Sequence, residues 1–240
     1  SRSIPASIRP SGAPMAIAAG CDTLTSSMFG LLDRVNPNTV DAVQVFDKNR
    51  KGVLMGDGGV ALILETEEHA LANGRTPLAW LRGVGLSTDA VHETAPDKDG
   101  ILGALSDGYS RAGITPDAVD VIYVHGTGTA LNDGTEASVL ATAFEHVADK
   151  PALSGIKAMT GHTSGASGAI GIVAGIKSLQ SGQVPPTPGT ADRVDEAAGF
   201  KLSDTAQSQP IGTVQVNAFG FGGVNSVVLL SKYAEAQNGL

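Results

Sequence analysis

The sequence contains few of the residues on which several large classes of protein depend. Its 240 residues include one cysteine, Cys21, so no disulfide can form within the chain, and this scarcity favours a cytoplasmic protein. Lysine and arginine total 16 against 24 acidic residues, and the net charge of -8 argues against a nucleic-acid-binding surface. The longest apolar run, residues 163–176, is shorter than the ~18 residues of a membrane span, so we expect no membrane segment.

Aromatic residues are also scarce, at 4% of the chain, whereas 42% of the residues are hydrophobic and 31 are glycine. We therefore expect an aliphatic, closely packed core. Apolar β-rich runs alternate with helical patterns, and this order is typical of a layered α/β fold. The predicted strands span residues 15–19, 53–65, 78–86, 119–124, 213–218 and 224–230, and the predicted helices span residues 103–112, 133–148 and 162–180.

The predicted strand at 119–124 leads into a histidine and a loop of small polar residues, "HGTGT" at 125–129. The α/β folds place ligands at the carboxyl ends of buried strands, where glycines allow close backbone approach. The hydroxyls of Thr127 and Thr129 can bond an amide or a phosphate. A core histidine bonded to a carbonyl is the alternative, but that role does not require Gly-Thr-Gly-Thr after it. His125 is therefore a candidate catalytic residue.

A second histidine occurs in "SGIKAMTGHTSGASGAIG", residues 154–171. The pattern predicts that His162 opens a glycine-rich helix. Because the positive end of the helix dipole disfavours imidazolium, we expect a neutral His162 that can donate to a developing oxyanion. The nearby Lys157 would reinforce this effect. Helix packing explains the repeated glycines but leaves Lys157 and His162 unexplained.

A third segment, "NAFGFGGVN" at 217–225, places two phenylalanines among glycines and predicts a mobile, hairpin-like loop. It does not fit a dinucleotide-binding loop, because no helix or acidic residue follows at the required distance. The sequence has no phosphate-binding P-loop and no cluster of metal ligands, so we expect neither a metal nor a cofactor. The other three histidines, His69, His92 and His146, occur in polar contexts and are expected to be exposed.

These three segments together resemble the C-terminal half of the β-ketoacyl synthases, the condensing enzymes of fatty acid and polyketide synthesis. "HGTGTALND", "IKAMTGH" and "FGFGGVN" follow in the family's order and at its spacing, and "VFDKNRKGVLMGDGGVALILE" is similar to one of its strands. The resemblance covers nearly the whole chain. It implies a thiolase-like layered αβαβα fold, with residues 1–76 as the tail of the first half and residues 77–240 as the complete second half.

In the family, a cysteine takes an acyl group from the phosphopantetheine arm of an acyl carrier protein, and a decarboxylated malonyl-type extender attacks the thioester. The resemblance implies that His125 and His162 assist decarboxylation and stabilise the enolate oxygen, and that Lys157 holds the loop of the second histidine.

Thr127 and Thr129 would contact the phosphopantetheine arm. The remaining assignments are Phe221 as a gate whose N–H contributes to the oxyanion hole, Phe219 and Gly222 beside the substrate, and Glu136 and Asn217 in support of the first loop.

The family's nucleophilic cysteine has no counterpart in this sequence. Cys21 is predicted in a turn after a strand, without the helix-start context that lowers the pKa of a thiol, and we interpret it as a small packed residue. The resemblance therefore implies a partner chain that carries the cysteine, either separately encoded or produced by proteolytic cleavage, in an assembly of four chains, two of each kind. Without that partner, a large apolar surface would be exposed, which soluble proteins avoid.

Two other functions stay open. One is a non-catalytic scaffold similar to the chain-length factors, which pair with a synthase and shape its tunnel. The other is an acyltransferase of the same fold that forms an ester or amide bond without decarboxylation. The presence of both histidines and Lys157 favours the catalytic subunit, because a scaffold has no chemical need for them.

Overall fold

The structure, a computed structural model, describes residues 13–35, 40–92 and 94–234, so residues 1–12 of the predicted N-terminal tail lie outside it. Strands and helices alternate along the described chain, as the sequence predicts. The elements are β1 (Met15–Asp22), α1 (Ser26–Val35), β2 (Gly58–Glu65), α2 (Glu67–Ala72), β3 (Ala79–Thr88), α3 (Lys98–Ala112), β4 (Val121–Tyr123), α4 (Ala130–Ala143), β5 (Ala152–Ser154), α5 (Lys157–Thr160), α6 (Ser167–Ser181), β6 (Gln183–Val184), β7 (Lys201–Leu202), β8 (Gln207–Ser208), β9 (Thr213–Gly220) and β10 (Val224–Lys232).

A mixed sheet of six strands forms the centre of the molecule, in the order β3-β10-β9-β4-β5-β7. The first three strands are antiparallel neighbours, whereas β9, β4, β5 and β7 run parallel. Because β4 and β9 are parallel neighbours, their carboxyl ends meet at one edge of the sheet. The loop after β4 and the hairpin between β9 and β10 therefore lie beside each other.

Helices cover both faces of the central sheet. Ile122 of β4 packs in the apolar cluster under α3 and α4, and its neighbours Val121 and Tyr123 pack in the cluster under α6. All three side chains are buried, which confirms that this strand is covered on both faces. Helix α6 also contacts the antiparallel ribbon of β1 and β2. The order of the layers is therefore helices α3 and α4, the central sheet, helix α6 and the β1–β2 ribbon.

The predicted helices exist, but their ends differ from the predicted bounds. Helix α3 begins earlier than predicted, where the Asp97 carboxylate accepts the backbone N–H of Gly100 at 2.8 Å. Helix α4 begins earlier because Thr129 is its N-cap. Helix α6 ends as predicted at Gly182, which adopts a left-handed conformation with φ 69°. No helix in the described segments combines the length and the apolar character that a membrane crossing requires.

One face of the β1–β2 ribbon is apolar and bare. Ile17 and Ile63 lie opposite each other and are 65% and 64% exposed, and Met15 on the same face is 44% exposed. Phe29 of α1 is 55% exposed. Each strand of the ribbon pairs with one other strand within the described residues, which leaves one open edge on each. This surface agrees with the uncovered apolar face that the sequence analysis expects.

Candidate active site

His125 lies two residues beyond the end of β4, as predicted, and its side chain is buried. Its Nδ1 atom accepts the backbone N–H of Phe219, the residue near the end of the adjacent strand β9, at 3.3 Å. A nitrogen that accepts a hydrogen bond carries no proton, so in the neutral ring the proton is on Nε2. The pairing of β4 with β9 thus selects one tautomer of His125.

His162 does not open a helix, contrary to the sequence prediction, because α6 begins only at Ser167. Instead, the backbone of His162 bridges to the segment before β2, and its N–H donates to the carbonyl of Leu54 at 2.7 Å. Its Nδ1 accepts the backbone N–H of Ser164 at 3.0 Å. The proton of neutral His162 is therefore also on Nε2.

The two imidazole rings lie side by side, with centroids 5.5 Å apart and planes at 83°. Within the described residues, neither Nε2 atom has a hydrogen-bond partner. Both rings therefore keep one N–H donor available for a ligand. The structure brings together two histidines that are separated by 37 positions in the sequence, 162 minus 125.

Burial keeps both rings neutral. It lowers the pKa of His125 well below the usual range, and the charges of Lys157 and His162 act in the same direction. It also lowers the pKa of His162 to about 3, reinforced by Lys157 and opposed by Asp22. The predicted neutrality of His162 agrees with this result, but its cause is desolvation rather than the predicted helix dipole.

Lys157 is 5% exposed, and its ammonium group donates to the backbone carbonyl of His125. Burial lowers the pKa of Lys157 to about 8, opposed by the negative charges of Glu136 and Asp133. The resemblance assigns Lys157 to the loop of the second histidine, whereas the contact in the structure is to the first. Lys157 thus supports His125 directly and acts on His162 through its charge.

Glu136 of α4 holds the turn that follows His125. Its two carboxylate oxygens accept the backbone N–H groups of His125 at 2.8 Å and Gly126 at 2.9 Å. Asn217 of β9 donates to the same carboxylate at 2.9 Å. Burial raises the pKa of Glu136, and these three hydrogen bonds oppose that shift. The predicted supporting positions of Glu136 and Asn217 fit these contacts.

Asp133, which the sequence analysis did not single out, holds the remainder of the loop. Its carboxylate accepts the backbone N–H groups of Thr127 at 3.0 Å and Gly128 at 3.1 Å. It also accepts, at 2.8 Å, the N–H of Phe46, a buried non-glycine residue with φ 59°. Its spacing of three residues from Glu136 places both acids on one face of α4, but the burial that makes Asp133 important leaves no signal in the sequence.

The residues assigned to substrate contact lie around the histidine pair at different depths. Thr127 is buried, and its hydroxyl lies 2.9 Å from that of Thr129, which also caps α4. Phe219 is buried beside His125, with ring centroids 5.5 Å apart. Phe221 is 80% exposed at the tip of the β9–β10 hairpin, and Gly222 follows it with φ 77°. The hairpin is confirmed, and the substrate contacts stay predictions.

Cys21 is an exposed residue inside β1, opposite Gly59 of β2, rather than in a turn after the strand. The interpretation of Cys21 as a packed residue is therefore wrong, and the inference that it is not the nucleophile stays a prediction. Of the other histidines, His92 and His146 are exposed as expected, whereas His69 is half-buried and bonds Glu65 at 2.8 Å. In residues 13–35, 40–92 and 94–234, no group of three acidic, histidine or cysteine side chains is placed to hold a metal ion.

Comparisons with known proteins agree with the fold and the motifs. Residues 78–191 match the sequence profile of the β-ketoacyl synthase C-terminal domain. The 3-oxoacyl-[acyl-carrier-protein] synthase 2 of Coxiella burnetii is 34% identical over 228 residues, which cover 90% of this chain and 55% of that protein. The chain thus spans about half the length of the curated relatives it matches.

Solved structures give the same result. The ishigamide ketosynthase/chain length factor is 35% identical with a TM-score of 0.87, over 92% of this chain and 54% of that one. The AntDE:AntF structure, a type II PKS acyl-carrier protein in complex with its ketosynthase, is 26% identical with a TM-score of 0.86, over 92% and 57%. These matches confirm the thiolase-like layered fold, and the chain belongs to the β-ketoacyl synthase family, of which it contains the C-terminal half.

Proposed function

We propose that this chain contributes the decarboxylating histidine pair of a β-ketoacyl synthase. The synthase would condense acyl and malonyl-type thioesters carried on an acyl carrier protein. The observation that supports this most is the pair of Nε2–H donors on His125 and His162. Both rings are neutral, both commit Nδ1 to a backbone N–H, and their centroids are 5.5 Å apart.

In the proposed reaction, the bond between the malonyl carbon and its carboxylate breaks, CO2 leaves, and the electron pair passes to the thioester oxygen as an enolate. Two preorganised N–H donors stabilise that oxyanion. Because the imidazoles carry no charge, they do not favour the ground-state carboxylate over the transition state. The enolate carbon then attacks the acyl thioester on cysteine, a carbon–carbon bond forms, and the cysteine thiolate leaves.

The test measures CO2 release from malonyl-acyl carrier protein by the assembled synthase. Loss of one oxyanion donor typically lowers kcat by about 10²- to 10³-fold, and we expect this for His162→Ala. His146→Ala, at an exposed histidine in the turn after α4, is the matched control and should release CO2 at the normal rate. Unchanged CO2 release from His162→Ala would reject the decarboxylative mechanism.

We further propose that the nucleophilic cysteine belongs to an N-terminal thiolase-like half that covers the bare face of the β1–β2 ribbon. The exposed pair Ile17 and Ile63 supports this placement. The separate partner chain, the division at residue 76 and the four-chain assembly stay predictions. The test is affinity purification of this chain from its source cell, followed by sequencing of the proteins that co-purify. We expect a co-purifying chain that contains the cysteine. A single longer polypeptide with the cysteine would reject the separate chain and leave the reaction proposal intact.

A scaffold similar to a chain length factor is the second candidate, favoured by the similarity to the ishigamide ketosynthase/chain length factor. The N-terminal half distinguishes the two functions. A cysteine in a Ser/Thr-Ala-Cys-like turn at a helix start supports catalysis, whereas glutamine or glycine at that place supports a scaffold. An acyltransferase that forms an ester or amide would transfer the acyl group without releasing CO2.

A further inference from the structure

Strand β9 carries two amide side chains into the apolar layer between the central sheet and helices α3 and α4. Gln215 and Asn217 are two positions apart, so they lie on the same face of the strand, and they are 0% and 4% exposed. Val214 and Val216 point to the opposite face and join the apolar cluster under α6. A buried amide is destabilising unless its donors and acceptor are bonded, so these two side chains need partners.

The partners form one chain of hydrogen bonds from α3 to the histidine loop. The hydroxyl of Tyr109, on α3, donates to Oε1 of Gln215. Nε2 of Gln215 donates to Oδ1 of Asn217 at 2.8 Å, and Nδ2 of Asn217 donates to Oε1 of Glu136 at 2.9 Å. Glu136 in turn accepts the backbone N–H of His125. A helix on the outer layer is thereby connected to the candidate catalytic loop.

The carboxylate sets the direction of every bond in this chain. Because a carboxylate only accepts, Asn217 must turn its NH2 group toward Glu136 and its oxygen toward Gln215. Gln215 must then turn its NH2 group toward the oxygen of Asn217, so its own side-chain oxygen points the other way and needs a donor. Tyr109 supplies that donor, and burial raises the pKa of its hydroxyl, so the proton stays in place. Without the hydroxyl, the buried Oε1 of Gln215 loses its donor, and the Gln215 side chain is no longer held in place at that end.

We propose that Tyr109 and Gln215 are positioning residues for His125, acting through Asn217 and Glu136 on the backbone of the histidine loop. Glu136 holds the N–H groups of both His125 and Gly126, so a displaced carboxylate releases the turn that aims the imidazole. This inference rests on the proposed function, because it assumes that the orientation of His125 limits decarboxylation.

The experiment compares two tyrosine hydroxyls in the assembled synthase. Tyr109→Phe removes the first donor of the chain and keeps the shape of the side chain. Tyr123→Phe is the matched control, because Tyr123 is also buried but its hydroxyl bonds Ser178 on the α6 side. We expect Tyr109→Phe to lower kcat for CO2 release roughly three- to tenfold with an unchanged KM. Amide hydrogen exchange in the peptide 124–128 should accelerate by a similar factor, and the control should change neither quantity.

Equal effects of the two tyrosine variants on exchange and on kcat would overturn the proposal. Exchange is measured on the folded protein whether or not CO2 is released. A synthase without decarboxylase activity would therefore reject the proposed function, while exchange in peptide 124–128 would still decide the positioning role. Should Tyr109→Phe fail to fold, Gln215→Leu cuts the same chain and is expected to have the same two effects. Where both fold, the double variant should be no worse than Gln215→Leu alone, and additive losses would count against the proposal.

Discussion

Two backbone N–H groups determine which proton each histidine can offer. The N–H of Phe219 occupies Nδ1 of His125, and the N–H of Ser164 occupies Nδ1 of His162. Within the described residues, neither imidazole ring donates a hydrogen bond to a carboxylate, and the charge of Asp22 only partly opposes the lowered pKa of His162. Burial lowers the pKa of both histidines, because desolvation penalises the charged imidazolium form.

We therefore expect His125 and His162 to stay neutral between pH 5 and 8, a window above the folded pKa of about 3 at His162. The imidazole carbon-bound proton shifts of both residues, measured by NMR on 13C-labelled protein, should not change across this range. In urea, the same signals should titrate near the ordinary pKa of about 6.5. Because the folded pKa is the lower one, the unfolded state takes up protons first, and stability should fall as the pH drops below 6.5. A titration of either folded signal above pH 5 would contradict this.

Asp133→Asn should destabilise the protein by about 2 to 4 kcal/mol, because it places an NH2 group among backbone donors that have no other acceptor. The affected donors belong to Phe46, Thr127 and Gly128. Urea unfolding measures the loss. Asp149→Asn is the control, since Asp149 is exposed and its ion pair with Lys201 is of the kind that contributes little. A change equal to that of the control would show that the Asp133 hydrogen bonds are dispensable.

At the scale of secondary-structure elements, the sequence predicts six strands of the structure, misses the short strands β5 to β8, begins β2 five residues too early and predicts the helix starts poorly. Residues 119–124 and 213–230 have continuous apolar or alternating patterns that little else explains, and the structure confirms them. The segment 162–166 has the same small residues as the helix after it. The bridge between His162 and Met55, from a distant part of the chain, and the left-handed backbone of Ser164, with φ 39°, separate it from α6. Such long-range pairing leaves no local signal.

The same limit applies to the candidate site. His125, His162 and Lys157 stand out because charged or titratable residues are rare in glycine-rich segments. Asp133 and Gln215 do not stand out, since a polar residue in a helix or strand is normally solvated. Their importance comes from burial against other elements, which the sequence pattern does not record.

Helix α6 has glycines whose roles differ along its length. A Cβ at Gly171 would lie 2.7 Å from the Val216 side chain, so Gly171→Ala should destabilise by about 1 to 3 kcal/mol through overpacking. Gly168→Ala is the matched control, because its Cβ would lie 3.4 Å from Ala218. That variant should be neutral or more stable by up to about 1 kcal/mol, from the higher helix propensity of alanine. Urea unfolding of both compares them, and equal effects would reject close helix–sheet contact at Gly171.

At the scale of the whole molecule, we expect the exposed apolar face of the β1–β2 ribbon to make the isolated chain self-associate. Ile63→Lys places a charge opposite Ile17 on the exposed face, and we expect it to reduce self-association of the isolated chain, measured by sedimentation velocity. The same variant should fail to assemble with the N-terminal half. Leu78→Lys, at an equally exposed leucine outside the ribbon, is the control and should assemble normally. Normal assembly of Ile63→Lys would exclude this face as the interface.

The position of α6 between the central sheet and the ribbon has a consequence during synthesis on the ribosome. The helix, Ser167–Ser181, is made before β9 and β10, which end at Lys232 and form the sheet surface on which it packs. Its glycine-rich apolar face therefore emerges before β9 and β10 exist, when the ribbon and the short strand β4 are its docking surfaces. Because these contacts are distant in sequence, we expect the final layer to close late in synthesis, with the apolar face of α6 partly exposed until then.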